Sequence, residues 1–475
     1  MGREELKTQM SIRYISLLLI FLSVESKATE LSLNEAIKTA LEGNKDLVGA
    51  GYCLEIASWT YKASSLLEFK PKASLETEAI HSEKKEQEVK ESSTKYPSSA
   101  NFEQKYPLFL GGQIKLISGI ELCQEKGEWT VNPKVGFEWN QPISKSGIRA
   151  GNSSLISRGL DWQIADLGYE ESVEKIIYDV TLAYYNLLKA TKSRALAKSQ
   201  IELTRHLLKV SQARLNVGQI PELDLMRVKL RLGQDEVRLI EAEKNEREAK
   251  RTLSNLLGLA QTEELRVSDN DPNLPKETPL LNTALKKALV FRLDLLKQEL
   301  NIRLKEIELD KARSQDNPSL VVDGTYQLKG KDKELQGVID EFPDKEWEAG
   351  LKIAFSLSDG GIKRANLQKA ILELEKERLA YEELKRDIRD EIATIFDDLS
   401  SHQKALKVQE MSLDIARKSY QVTQLKYENG LVSSSDVLEA QLSFFDAENS
   451  LTEAKISQII DYSRLIKASG KLKGN

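Results

Sequence analysis

The stretch Lys426–Gln441, KYENGLVSSSDVLEAQ, decides the reading of this chain. A long glycine-free and proline-free segment, Ile362–Asn429, runs into it, and a second amphipathic segment leaves it. Glycine at 430 supplies the left-handed residue that ends a helix, and the serines before Asp436 supply the next cap. The stretch is therefore the tip of a helical hairpin. A near-copy, RLNVGQIPELDLMRVK, occupies Arg214–Lys229, with Gly218 in the place of Gly430. One chain builds the same tip twice.

The duplication extends outward from the tips. LSLNEAIKTALEGNKDL (Leu31–Leu47) matches LLNTALKKALVFRLDL at an offset of 248 (281 − 33). Pro71 matches Pro318, and Gly147 matches Gly361 at an offset of 214 (361 − 147). The first copy thus carries about 34 extra residues between Pro71 and Gly147, the length of a β-hairpin with its loops. Expected boundaries are a first repeat at 29–258, with an extra hairpin near 99–123 and a tip at 216–222. A linker at 259–279 follows, then a second repeat at 280–468 with strands 318–329 and 346–357 and a tip at 428–434, and a short basic tail at 469–475.

Strands are read from alternation. Trp347, Ala349, Leu351, Ile353, Phe355 and Leu357 alternate with Glu346, Glu348, Gly350, Lys352, Ala354 and Ser356. Val135, Phe137 and Trp139 repeat the pattern in the first copy, and the extra hairpin uses Ala100–Leu108 and Ile114–Leu122. A period of two places apolar residues on one face and polar ones on the other. That signature fits a soluble sheet with one wet face, and equally a transmembrane barrel with a polar lumen.

The helices separate those readings. Ile362–Asn429 spans 68 residues, about 100 Å at 1.5 Å per residue. Ile388, Ile392, Ile395, Leu399, His402, Leu406, Gln409 and Leu413 fall at alternating steps of four and three, a coiled-coil seam. His402 on that seam reads as a packed or register-setting polar residue. A barrel wall is about 25 Å tall and has no use for helices four times as long; they serve a compartment outside the bilayer.

Composition agrees. Of 475 residues 30% are charged and 6% aromatic, and the net charge of −5 gives no footprint for nucleic acid. Two cysteines and three scattered histidines offer neither a disulfide framework nor metal-ligand spacing, so no metal and no cofactor are expected. No phosphate-binding glycine motif and no catalytic motif of hydrolase or metalloprotease type occurs, so no enzyme is read. Arg3, Lys7 and Arg13 precede the apolar run Tyr14–Val24, and small residues follow. This is the layout of a signal peptide over 1–28, with an uncleaved N-terminal anchor as the alternative.

These motifs, in this order and twice over, resemble the TolC-like outer membrane efflux proteins. They are LSLNEAIKTALEGNKDL, KPKASL and NPSLVV at strand starts, QPISKSGIRA and FSLSDGGIKRA at strand-to-helix junctions, and the two tips. The resemblance implies a mixed α and β fold of long antiparallel coiled-coil hairpins joined to a transmembrane β-barrel segment. It implies a homotrimer forming one channel-tunnel, embedded in outer membrane lipid with its helices in the periplasm. It also implies docking to a periplasmic adaptor and an inner-membrane pump of resistance, ABC or other type. The function implied is a passive export duct of a tripartite efflux or type I secretion system; the alternative is a structural coiled-coil protein of the envelope. In the family the second tip narrows the entrance with acidic residues, and Asp436 and Glu439 stand at those positions. Asp224 and Tyr427 match an aspartate and a tyrosine of the family's latch, whereas Val432 replaces its arginine. Arg227, equivalent in the first copy to Glu439, is the candidate substitute. Gly218, Gly430, Leu431, Ser433 and Ser434 are the candidate adaptor-docking residues. The family pattern of four strands per chain gives a 12-stranded trimer; with the extra hairpin in the wall it becomes 18, the alternative being a loop hairpin outside the membrane or inside the lumen.

Overall fold

The structure, a computed structural model, describes residues 30–64, 70–78, 80–86, 89–95, 98–107, 112–125, 128–259, 265–268, 280–315, 317–330, 344–354 and 359–470. The expected signal peptide, most of the linker, residue 108 of the extra hairpin, residues 355–357 of the second-copy strand and the last five residues of the tail lie outside them.

In chain order the elements are β1 (Glu30–Leu31), α1 (Leu33–Gly43), α2 (Lys45–Lys62), β2 (Lys72–Thr77), β3 (Ile80–Glu86), β4 (Val89–Lys95), β5 (Ser98–Pro107), β6 (Gln113–Glu125) and β7 (Glu128–Pro142). Then come α3 (Lys145–Asn216), α4 (Glu222–Leu257), β8 (Arg266–Val267), α5 (Leu281–Phe291), α6 (Leu293–Ser314), β9 (Ser319–Lys329), β10 (Asp344–Ala354), α7 (Ile362–Glu428) and α8 (Ser434–Ala468).

The helix pairs α1–α2 and α5–α6 begin at positions related by the same offset of 248 (281 − 33 and 293 − 45). Their matched alanines, Ala36 with Ala284 and Ala40 with Ala288, are all buried. Small residues at these sites let backbones approach closely, which explains why they recur. α1 opens with a capping box in which Ser32 and Glu35 satisfy each other's backbone N–H. The long helices α3 and α7 run for 72 and 67 residues.

The chain divides into two compact units. One contains 1–47, 173–284 and 392–475, and so holds the tips and the parallel pair β1–β8. Four helices meet near the tips in an apolar cluster of Leu207, Val228, Tyr427 and Val437. The other unit, 48–172 and 285–391, holds α2, α6 and the sheet. Within it α6 packs on α7 through Leu309, Ala312, Ala370 and Leu374.

The sheet is antiparallel, in the order β2–β5–β6–β7–β9–β10, with β3 and β4 paired to each other and β4 to β6. The register puts Phe102, Leu116, Phe137, Tyr326 and Trp347 on one face. Tyr106, Ile120, Val135, Trp139, Leu351 and Ile353 share that face, and all of these except Tyr326 are exposed. The opposite face carries Glu103, Lys115 and Glu138, where Lys115 Nζ lies 3.2 Å from Glu103 and 3.7 Å from Glu138. The apolar row on one face and the charge ladder on the other are what alternation demands of β5, β6, β7, β9 and β10 together. The hairpin β3–β4 was not expected: IHSEKKE and VKESSTK show no alternation of apolar residues. Among the described residues no helix is long and apolar enough to cross a membrane.

Candidate functional site at the helical tips

Both tips are built by the same two backbone bonds. At the first, Gly218 N–H donates to Leu215 O and Gln219 N–H to Arg214 O, each at 2.9 Å. At the second, Gly430 N–H donates to Tyr427 O and Leu431 N–H to Lys426 O, again each at 2.9 Å. The glycines have φ of 75° and 76°, a region that a Cβ disfavours, which is why glycine recurs there.

The two tips differ in how the next helix starts. α4 starts after Pro221, which makes no side-chain cap. α8 starts with a capping box: Asp436 N–H donates to Ser433 Oγ at 3.3 Å, and Ser433 N–H donates to Asp436 Oδ2 at 2.8 Å. Hydrogen bonds from the Ser433 hydroxyl, then from its N–H, hold the Asp436 carboxyl below the usual aspartate range. Asp436 is therefore a helix cap and an exposed carboxylate at once. Glu439, one turn further on, is also exposed.

The latch candidates fall into two groups, Tyr427 with Ser211 and Arg214, and Arg227 with Asp224 and Ser435. Tyr427 is buried, its hydroxyl 2.9 Å from Ser211 Oγ, and the Arg214 guanidinium sits 4.3 Å over its ring. Arg214 also donates to Glu428 O at 2.9 Å. Arg227 donates to Ser435 Oγ at 3.0 Å and lies 3.8 Å from Asp224. Val432 packs against the apolar cluster at the tip. So α3 and α4 are tied to α7 and α8 by Ser211–Tyr427, Arg214–Glu428 and Arg227–Ser435. Of the docking candidates, Leu431 and Ser433 are exposed, whereas Ser434 is buried with no hydrogen-bond partner for its hydroxyl.

Sequence reasoning missed Arg214 and Ser211, and also a buried polar network further up the hairpins. Asp235 accepts from Gln200 Nε2 at 2.8 Å and Thr204 Oγ1 at 2.7 Å, and pairs with Arg231 at 3.0 Å. Gln441 Nε2 donates to Thr204 Oγ1 at 3.2 Å, bringing α8 into the same network. Burial pushes the Asp235 carboxyl up, against the opposing pull of Thr204 and Arg231. The available signal was Gln200, Thr204 and Ser211 set at seam spacing around Leu207. His402 meets Asp461 through Nδ1, a helix-to-helix pair on the seam where it was expected to pack.

Comparison with known proteins bears on this geometry. The family described as "Outer membrane efflux protein" matches residues 284–471. The alkaline protease secretion protein AprF of Pseudomonas aeruginosa is 22% identical over 316 residues, 65% of this chain and 64% of its own length. The solvent efflux pump outer membrane protein SrpC of Pseudomonas putida is 24% identical over 328 residues, 67% of each chain. The chain thus spans about two thirds of the curated relatives it matches. The solved outer-membrane channel OprN superposes with a TM-score of 0.72 at 18% identity, covering 92% of this chain and 89% of its own, a likeness of fold. The doubled tip, the family match over residues 284–471 and the shared fold all liken this chain to the TolC-like outer membrane efflux proteins.

Proposed function

We propose that the protein is the outer membrane export duct of a tripartite efflux pump or type I secretion system. It lies in the outer membrane with its helices in the periplasm, and passes cargo handed on by a periplasmic adaptor and an inner-membrane pump. The observation that carries this reading is the two-faced sheet. One face presents Phe102, Leu116, Phe137, Trp347 and Leu351 to the surroundings, and the other a Glu–Lys–Glu ladder. In water that apolar face is a liability, but against lipid it is the required surface. The duct is passive and the pump supplies the energy. The family and its relatives are transport proteins, and we assign no catalytic role.

Assembly as a homotrimer is supported by two helix faces that find no partner among the described residues. α4 buries Leu225, Val228 and Asp235, yet its other side carries Leu223, Met226, Leu230, Val237 and Ile240, all exposed. α7 does the same with Val408, Met411, Ile415, Val422 and Leu425. The two sets stand level. Counted forward from Gly218, Leu223, Met226, Val237 and Ile240 stand at +5, +8, +19 and +22. Counted back from Gly430, Leu425, Val422, Met411 and Val408 stand at −5, −8, −19 and −22. Ile415 stands level with Gly233, where open space receives a large side chain. Glu222 is level with Lys426 and Glu241 with Lys407. α4 of one copy and α7 of the next therefore form an antiparallel seam with both tips at one end. Such a head-to-tail contact closes into a ring, and three is the number the family resemblance implies. Six tips then surround the entrance, and the Asp436 and Glu439 carboxylates of three second-copy tips favour cations there.

Disulfide mapping tests this. Met226→Cys with Val422→Cys gives covalent trimers, whereas Met226→Cys with Met411→Cys, well out of level, does not. A detergent-free monomer that forms no inter-copy disulfide would sink the reading.

A further inference from the structure

The sheet carries a consequence for the wall, which rests on the export-duct reading above. Thr77↔Ser98 and Ile80↔Lys95 lie in one continuous register, as do Ser98↔Leu122 and Lys95↔Glu125. β2 and β3 thus share one strand line, and β4 and β5 another. The eight strands occupy six lines: β2–β3, β4–β5, β6, β7, β9 and β10.

The inserted hairpin is no appendage to this sheet. β5 pairs with β6 from Ser98↔Leu122 to Pro107↔Gln113, and β6 with β7 from Gln113↔Asn140 to Glu125↔Glu128, both without a break. Its apolar residues Phe102, Tyr106, Leu116 and Ile120 stand on the same exposed face as Phe137, Trp139, Trp347 and Leu351. Its charged residues Glu103 and Lys115 join Glu138 on the other face. A hairpin lying in the lumen or out in water would have no use for an apolar row in register with the wall. By contrast β3–β4, which is polar by composition on both faces, continues past the end of β6 and β7 and marks where the apolar band stops.

Two strand lines, β2–β3 and β10, each have a paired neighbour on one side only among the described residues. Hydrocarbon does not tolerate such edges. We propose that β10 of each copy pairs with β2–β3 of the next, so that three copies of six lines close an eighteen-stranded barrel. Four lines per copy would close twelve. Because barrel diameter grows roughly linearly with strand number, the lumen is about one and a half times as wide, in the range of an aqueous porin channel. The charged hairpins β3–β4 form a crown outside the bilayer.

The test combines counting and labelling on the full-length protein in lipid nanodiscs. Electron cryomicroscopy is expected to show eighteen strands around one axis. Phe102→Cys and Leu116→Cys on the apolar face should react about tenfold more slowly with a membrane-impermeant maleimide than Ser99→Cys on the polar face, as Trp347→Cys does. Ser74→Cys, scanned against Glu346→Cys, Glu348→Cys, Gly350→Cys and Lys352→Cys, should give a covalent trimer in one combination. A trimer with twelve strands, or fast labelling at positions 102 and 116 with position 347 protected, overturns the eighteen-strand wall and leaves the duct standing. A protein that forms no trimer in lipid overturns both.

Discussion

The links between the hairpins at the tips give the sharpest prediction about gating. If the entrance opens by parting α3 from α7, the contacts of Tyr427 and Arg214 must break. Tyr427→Phe leaves the buried Ser211 hydroxyl without its 2.9 Å partner, a cost of about 1–3 kcal/mol to the closed form. Arg214→Ala removes a charged hydrogen bond to Glu428 O, worth about 1.5–3 kcal/mol. It also removes a cation–π contact of about 0.5–1 kcal/mol. Taking about 2 kcal/mol for either variant, the open-to-closed ratio rises about 30-fold. An entrance that is about 1% open then becomes roughly one quarter open. Single-channel recording in planar bilayers measures this directly, with thermal unfolding as the control. If both variants lower the melting temperature but leave open probability unchanged, the contacts serve stability alone and the gating argument fails.

Three further outcomes follow from named contacts. Asp436→Asn with Glu439→Gln should reduce cation selectivity, while Ser433→Ala should cost about 1 kcal/mol of helix stability and largely retain selectivity; equal loss in both would separate the carboxylates from the entrance. Asp235→Ala should destabilise the fold by about 3–5 kcal/mol in chemical denaturation, because it strands the mostly buried Arg231. Since the Asp235 carboxyl titrates above the ordinary aspartate value of 3.8, the folded form binds more protons than the unfolded form between 3.8 and that raised value. Its contribution therefore makes stability rise as pH falls through that window, and Asp235→Asn should flatten this slope. Trp347→Lys on the apolar face should cost about 2–4 kcal/mol if it sits near the bilayer midplane and so cut assembly in membranes, whereas Glu348→Lys on the opposite face should assemble normally.

The elements legible in the sequence were those whose signal is local. Gly430 with Ser433 and Asp436 states a helix end and a helix start within a single turn region, and the same backbone bonds recur at Gly218. Alternation marked β6, β7, β9 and β10 because each has one apolar face. β3–β4 was invisible because neither of its faces is apolar, and a polar run in sequence looks like a loop. The Asp235 network was invisible for another reason: its members come from three helices, and Asp235 within VKLRLGQDEVR reads as one more surface charge. The second apolar stripes of α4 and α7 were hidden by reading one seam per helix. Only once Leu225 and Val228 are seen buried do Leu223 and Met226 stand out as exposed, with no partner among the described residues. Among the residues proposed as a latch, Arg227 lies 3.8 Å from Asp224 on its own helix and donates to Ser435 of α8, and Val432 packs against the apolar cluster.

A water-filled, cation-favouring passage through lipid is the property we propose for this chain. Incorporation of the purified full-length protein into a planar bilayer under a salt gradient tests it most directly. Discrete current steps are expected, with a reversal potential shifted toward that of the cation and a selectivity that falls with Asp436→Asn and Glu439→Gln. A protein that inserts yet passes no current, or that passes anions preferentially, contradicts it.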